Sequence, residues 1–308
     1  MRNLAAVPAP EGWLERVASI RQWTRNGERA PHKPLLLLYA LGRLQRHGTT
    51  EVTYVDAEPA VAHLLQDFGP PGRKSTPAYP FHHLQSDGLW SVTTATGDSP
   101  GSSPTQLREL GAIGRLAPNF EAAMRADPAL LVLAAHSLLD ANFPESLHAD
   151  ICAQVGLDLQ AVEAQAARRR ASSLRRRDPA FRELVLMAYE YRCAMCGYDG
   201  RLGTEAVGLD AAHVRWWAFE GPDTVDNALC LCSMHHKLLD RGVVGIDRGN
   251  TVAVSARFVG RGRAAEVLVL EMLGRALYEP QRGHDPPAPA HVEWHHAQVF
   301  SGPARMPA

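Results

Sequence analysis

The chain has no apolar run long enough to span a bilayer. Its longest, Leu35-Leu36-Leu37-Leu38-Tyr39-Ala40-Leu41, falls far short of the roughly 20 residues that a membrane helix needs. Its first residues also lack the basic-then-apolar order of a secretory leader, because Pro8, Pro10 and Glu11 interrupt it. Cysteine is scarce, with five in 308 residues. Three of the five stand in metal-ligand spacing, which argues against a disulfide framework and for thiols kept reduced. Internal repeats are absent, and net charge is close to zero at −1. These absences predict a soluble, cytoplasmic protein with no membrane partner. They do not exclude a nucleic-acid partner, because charge is unevenly spread: residues 168–182 carry seven arginines against one acid, Asp178, a pattern suited to tracking phosphates.

What the chain does have is length for two domains with separate cores, at ordinary values of 45% hydrophobic and 21% charged residues. The fold class expected is α+β in two domains: a helical or mixed α/β unit over 1–155, an Arg-rich helical linker over 156–178, and a metal-stabilised unit over 179–308. In the first, residues 11–23 show helical apolar spacing, and Pro34 suits the first turn of a helix running through Leu44. A short strand is expected at 52–55, with Asp56 capping a following helix. Residues 79–84 and 89–94, joined by Ser86-Asp87-Gly88, read as a β-hairpin. Helical patterns return at 119–126, 128–139 and 144–155. In the second unit a helix over 180–191 leads into Cys193, residues 251–258 read as a strand, and residues 264–270 as strand or helix.

The densest chemistry lies between Cys193 and His236. Cys193-Ala-Met-Cys196 and Cys232-Ser-Met-His235 each place two soft ligands three residues apart, separated by about one hairpin. Zinc takes four tetrahedral N/S ligands, and two such pairs supply them. Cys152 and Cys230 are left over and read as buried small apolar residues. His236 follows His235 directly; neighbours on a helix point about 100° apart, so one can hold zinc while the next faces a different metal. His213 is a candidate base that takes a proton from water attacking a phosphodiester, and Asn227 a candidate fastener of the loop that aims it.

These residues resemble the HNH (ββα-metal) endonucleases. The match runs through Cys193-x-x-Cys196, Asp210-Ala-Ala-His213, Asp226-Asn227-Ala-Leu, Cys232-x-x-His235-His236 and Leu239-Asp240-x-Gly242. The resemblance implies a structural Zn2+, His213 as general base, Asn227 as the loop-positioning residue, and His236 as ligand of a catalytic Mg2+, Mn2+ or similar ion. Many relatives carry an acidic ligand directly before the first histidine. Here that place is Ala212, and Asp210 is the nearest substitute.

Two further segments, Arg29-Ala-Pro-His32-Lys33-Pro and Tyr79-Pro80-Phe-His-His83-Leu, resemble the sulfur-binding domain of McrA-type, modification-dependent restriction endonucleases. That resemblance implies a type IV-like enzyme that reads phosphorothioate in double-stranded DNA and cuts nearby. A shallow cup of rings and methylenes desolvates sulfur cheaply, whereas ionised oxygen there would lose water at a cost of ~1–3 kcal/mol. Tyr79, Pro80, His83 and His32 are the candidates for the cup. Arg29, Lys33, Arg73 and Lys74 are the candidates for backbone phosphates, with Arg168, Arg169, Arg175 and Arg176 of the linker as further DNA contacts. A homodimer would make paired cuts convenient. The alternatives are an HNH nuclease reading another mark, such as a methylated base, and a zinc-stabilised DNA-binding protein without activity.

Overall fold

The computed structural model describes residues 10–21, 30–70, 76–95, 97, 100–159 and 179–306. The chain divides into two compact units, the first built from most of residues 1–172 and the second mainly from 173–308. Among the described residues no single helix is long and apolar enough to cross a membrane.

The first unit is organised round α2 (His32–His47), whose leucine run is buried on every side. A helix apolar all round is stable only when other elements enclose it. Here α3 (Tyr54–Phe68), α4 (Ala78–His83), α7 (Pro128–Asn142) and α8 (Glu145–Val155) do so, with α5 (Pro104–Glu109) and α6 (Pro118–Ala126) falling between α4 and α7 along the chain. The last helix of the unit's entry, α1 (Pro10–Ala18), lies against α7 and stacks Trp13 on Phe120 at 4.8 Å. Beside the helices sits a three-stranded antiparallel sheet in the order β1 (Val52–Thr53), β3 (Ile113–Leu116), β2 (Trp90–Thr93). Gly114 on the central strand is obligatory, because a Cβ there would lie 2.3 Å from the Trp90 ring and 2.6 Å from Phe81.

A polar group is buried in this apolar unit. Glu121 is 1% exposed, accepts from Thr50 Oγ1 at 2.6 Å, and is met by Arg115 and Arg125. Burial pushes its carboxyl up, but the Thr50 and Arg125 hydrogen bonds and the arginine charges outweigh burial and hold it below the usual glutamate range.

Two readings of this unit need correction. Residues 79–84 are not a strand: they form α4 and the 3-10 turn Leu84–Asp87 that follows. Pro77 and Pro80 fall at the N-cap and in the first turn, where missing N–H groups cost nothing, and Thr76 Oγ1 accepts from Ala78 N. Consequently β2 pairs with β3, not with residues 79–84. The strand at 52–55 is also shorter than expected. Thr53 is the N-cap of α3 and accepts from Asp56 N at 3.2 Å, so Asp56 lies in the first helical turn instead of capping it.

In the second unit α9 (Pro179–Ala188) delivers the chain into a tight turn through Glu190 and Tyr191, both with positive φ. After the short hairpin of β4 (Arg201–Leu202) and β5 (Glu205–Ala206), the antiparallel strands β6 (Leu209–His213) and β7 (Ala228–Cys232) pair from Leu209↔Cys232 to His213↔Ala228. The helix α10 (Ser233–Asp240) follows β7 without a loop. This ββα core packs α9 on one side and the hairpin of β8 (Val244–Ile246) and β9 (Val252–Val254) on the other. The segment read as strand or helix is α11 (Arg263–Leu268), and α12 (Pro289–Gln298) closes the unit.

Candidate active site and metal centre

Cys193, Cys196, Cys232 and His235 converge, with one ligand atom from each lying within 4.8 Å of the others. His235 Nδ1 is 3.1 Å from Cys232 Sγ and 3.7 Å from Cys193 Sγ, and Cys196 Sγ is 4.0 Å from Cys232 Sγ. Four ligands at ~2.3 Å in a tetrahedron would be ~3.8 Å apart, so the donor set and its spacing fit a tetrahedral cation. The outer hydrogen bond fits too: His235 Nε2 donates to Leu268 O at 2.9 Å, which leaves the Nδ1 lone pair facing the sulfurs. The knuckle is shaped by backbone bonds, Gly197 N to Cys193 O and Ala194 N to Cys230 O, with Gly197 at φ 78°. Hydrogen bonds from Cys196 and Cys232 to Cys193 outweigh burial and favour negative charge within the cluster of thiols. Burial opposes charge on His235, but bonds to Cys193 and Cys232 push it up to about 10. Cys230 is fully buried, burial pushes its thiol up to about 12, and its sulfur is not among the four converging ligand atoms. Cys152 is likewise buried.

The second cluster lies along β6 and α10. His236 is sandwiched between two carboxylates, its Nδ1 3.6 Å from Asp210 Oδ2 and its Nε2 3.3 Å from Asp240 Oδ2. The Asp240 side chain is 2% exposed and that of Asp210 47%, so one carboxylate is a fixed inner wall and the other faces outward. Two ligands bound at ~2.1 Å can be at most ~4.2 Å apart, and a His nitrogen with a carboxylate oxygen 3.6 Å away fits a small divalent cation. Strand alternation explains how Asp210 reaches this place. Asp210 and Ala212 share one face of β6, so an acid two residues upstream projects to the same side as one at position 212 would. Arg182, from α9, approaches Asp210 Oδ1 at 3.3 Å and donates to Leu209 O at 2.7 Å.

His213 occupies the opposite face at the end of β6. Its ring stacks on Phe181 of α9 at 4.7 Å and its Nε2 meets Asp223 Oδ1 at 2.8 Å. Asn227 is fully buried, accepts from Arg215 N at 2.9 Å, and donates to Arg215 O and Pro222 O, both at 3.0 Å. Its amide therefore ties the segment leaving His213 to the loop bearing Asp223. Asp223, Phe181 and Asp240 were missed as site residues. The Gly221-Pro222-Asp223 turn and the Leu239-Asp240-x-Gly242 string were visible, but neither states which side chain its carboxylate will meet.

In the first unit, Tyr79 is 46% exposed and its ring centroid lies 4.4 Å from that of His83 and 6.4 Å from that of His32. These three rings come together. Pro80 does not join them as an open wall; it is buried under α4. Lys33 also needs correction as a phosphate contact. It is 8% exposed, and its Nζ pairs with the buried Asp87 at 2.6 Å. A cation in the first turn of α2 opposes the helix dipole, and Asp87 neutralises it there while also accepting from Arg21 N. Arg29, Arg73, Lys74, Arg168, Arg169, Arg175 and Arg176 lie outside the described residues.

Residues 10–160 match the family model described as ScoMcrA-like DNA sulfur-binding domain, and residues 193–247 match HNH endonuclease. Among curated proteins nothing matches. Among solved structures, the chain is similar to the sulfur-binding domain of SprMcrA complexed with phosphorothioated DNA, at 25% identity and TM-score 0.43, over 50% of this chain and 98% of that one. It is similar to the type IV phosphorothioation-dependent restriction endonuclease ScoMcrA at 24% identity and TM-score 0.40, over 54% of this chain and 35% of that one. It is also similar to the modification-dependent TagI restriction endonuclease at 23% identity and TM-score 0.30, over 40% of this chain and 38% of that one. The chain thus spans little more than a third of the length of either whole enzyme. With its Cys3His cluster and its ββα core, the protein is a two-domain DNA endonuclease of the HNH class. Residues 10–160 supply its likeness to the ScoMcrA-like DNA sulfur-binding domain.

Proposed function

We propose that this protein is a type IV-like restriction endonuclease that binds phosphorothioate-modified duplex DNA through residues 1–155 and hydrolyses phosphodiester bonds nearby with residues 179–308, joined by the Arg-rich linker 156–178. The observation that carries the reading is the presence, in one chain, of a sulfur-binding family match ahead of His213, Asn227 and His236 arrayed on a ββα core. In this assignment Cys193, Cys196, Cys232 and His235 hold Zn2+ and fold the nuclease unit. His236 Nδ1 and Asp210 hold Mg2+, Mn2+ or a similar ion. When bound, that ion would neutralise phosphate charge and ease departure of the leaving oxygen.

The remaining steps belong to the protein's own residues. His213 takes the proton from the attacking water. Asn227 keeps the loop after His213 in place, and Asp240 fixes the ring of His236 so that Nδ1 faces Asp210. In the reading unit, Tyr79, His83 and His32 offer ring edges to sulfur, which is larger and less strongly hydrated than oxygen. The proposal places the enzyme in the cytoplasm, where its DNA substrate and reduced thiols are found.

The deciding experiment incubates plasmids with and without phosphorothioate with the protein and manganese or magnesium. Cleavage confined to the modified plasmid is expected, and equal cleavage of both would remove the sulfur reading. In the same assay His213→Ala should lower the cleavage rate by about 10²–10⁴ while leaving DNA affinity unchanged. Wild-type cleavage by that variant would remove the base assignment.

A further inference from the structure

The second unit carries a basic surface beyond the stretch matched as HNH endonuclease, which ends at residue 247. We propose that the loop 256–263 is a DNA-backbone contact, in which Arg257 and Arg261 hold phosphates of the duplex to one side of the bond being cut. The inference rests on the reading of this unit as a nuclease acting on duplex DNA. The loop runs Ala256-Arg257-Phe258-Val259-Gly260-Arg261-Gly262-Arg263, three arginines without an acid.

Ion pairing sets this loop apart from the rest of the unit's surface. Arg182, Arg192 and Arg248 each face a carboxylate. Arg263, at the end of the loop, meets Glu266 at 3.0 Å and Glu271 at 3.2 Å, and Arg275 shares Glu271. The two acids that follow the loop are thereby occupied. Among the described residues no ion pair engages Arg257, Arg261 or Arg305, and the first two are exposed. Arg305 donates to Phe258 O at 2.9 Å, so a third guanidinium stands at the same loop. Residues 256–275 hold four arginines against two glutamates, in a chain whose net charge is −1. Guanidinium groups gathered without counter-charge repel one another, and a polyanion is the partner that relieves this.

The loop is also fixed in place. Arg257 N donates to Ser255 Oγ at 3.1 Å and Ala256 N to Pro303 O at 2.9 Å. Gly260 approaches α11 so closely that a Cβ there would lie 2.4 Å from Ala265 Cβ. The same helix ends at Leu268, whose carbonyl accepts from His235 Nε2 at 2.9 Å. At ~1.5 Å per helical residue, Arg263 stands about 8 Å along the helix from that carbonyl. The arginines are therefore borne on backbone tied to the helix that carries His235 and His236, and binding orders little chain. Val259, 78% exposed between them, has no side-chain donor or acceptor for a base edge, so this surface reads phosphate charge and not sequence.

The test uses the full chain and two duplexes of one sequence, with and without phosphorothioate, and follows binding by fluorescence anisotropy against salt concentration. Arg257→Gln with Arg261→Gln should lower the slope of log affinity on log salt by about 1.8, because each lost phosphate contact removes ~0.9. Binding at 0.1 M salt should weaken roughly 10–100-fold, by the same factor for both duplexes. The single-turnover cleavage rate at saturating duplex should be kept. Lysine at both positions should restore the slope, since it keeps the charge. Arg282→Gln removes an exposed guanidinium elsewhere in the unit and should leave the slope unchanged. A wild-type slope in the double glutamine variant overturns the proposal, as does an equal loss of slope in Arg282→Gln and Arg261→Gln. A lowered melting temperature without rescue by lysine overturns it in favour of a structural role. If the wild type neither binds nor cuts either duplex, the functional reading has failed and the loop with it. If the wild type cuts and the double variant keeps its slope, the loop alone has failed.

Discussion

The two units both bury an apolar core, but their interiors differ in the polar groups they add to it. In the first, α2 is an apolar rod whose leucines are buried on every side, and the buried carboxylate Glu121 is an exception enclosed by partners. In the second, short strands and short helices meet at a knuckle of three thiols and an imidazole. The first unit is stabilised by area removed from water, about 1.5–3 kcal/mol for each fully buried leucine. The second also buries apolar side chains, Val185, Leu186, Leu229, Leu231 and Val254 among them, and its thiols and imidazole offer a cation ligand bonds in addition to that buried area. Stability in the first is therefore spread over many positions, while in the second a bound cation would add to a similar spread a contribution concentrated in four side chains.

The sharpest way to break this contrast is to remove one thiol. Structural zinc contributes about 10–16 kcal/mol to the folding of small metal-dependent units, comparable to the whole stability of an ordinary domain. Cys193→Ser, or treatment with a chelator, should abolish the melting transition of the second unit and leave that of the first in place. A single unaltered transition in calorimetry would show that thiols and imidazole are not what holds the second unit.

The intermediate effect concerns the polar exception in the first unit. Its folded-state carboxyl titrates below the ordinary value of 4.5, so its contribution is fully present above that value and is lost as pH falls through the lower folded one. Glu121→Gln should cost about 1–3 kcal/mol at neutral pH and should flatten the acid loss of stability in the first unit. Equal acid sensitivity of the variant and wild type, by denaturant titration at several pH values, would remove Glu121 as its source. The smallest effect is expected at Tyr79, an exposed ring whose contact is worth about 0.5–1.5 kcal/mol. Tyr79→Ala should reduce the preference for phosphorothioate over unmodified duplex severalfold in competition binding, with general DNA affinity little changed. An equal fall for both duplexes would place the sulfur cup elsewhere.

The same contrast explains what could be read in advance. Cys193, Cys196, Cys232 and His235, together with His213, Asn227 and His236, were legible because chelation and the ββα core fix their spacing along the chain. Asp210 was legible only as a substitute, until strand alternation put it on the face of Ala212. Asp223 was not legible, because its meeting with His213 depends on a loop path set by the Asn227 clamp. In the first unit, Tyr79-Pro80-Phe81-His82-His83 looked extended, yet prolines at a helix start are free of penalty and tertiary packing chose the helix. Lys33 lies in the segment that resembles a sulfur-binding domain, and from that resemblance comes its expected phosphate contact. Its burial depends on Asp87, 54 residues away, and no local pattern reports that.

The strand pair β6–β7 works as a ruler. One end, Leu209↔Cys232, sits at the metal knuckle and the other, His213↔Ala228, at the base. Slipping β6 by one residue against β7 would reverse which side chains face which way, turning Asp210 from His236 and His213 from its loop at a single stroke. The neighbouring hairpin at 201–206 has no such duty. Length variation among natural variants of this enzyme should therefore collect in that hairpin and spare the ruler, so evolution can lengthen the nuclease only where nothing is being measured.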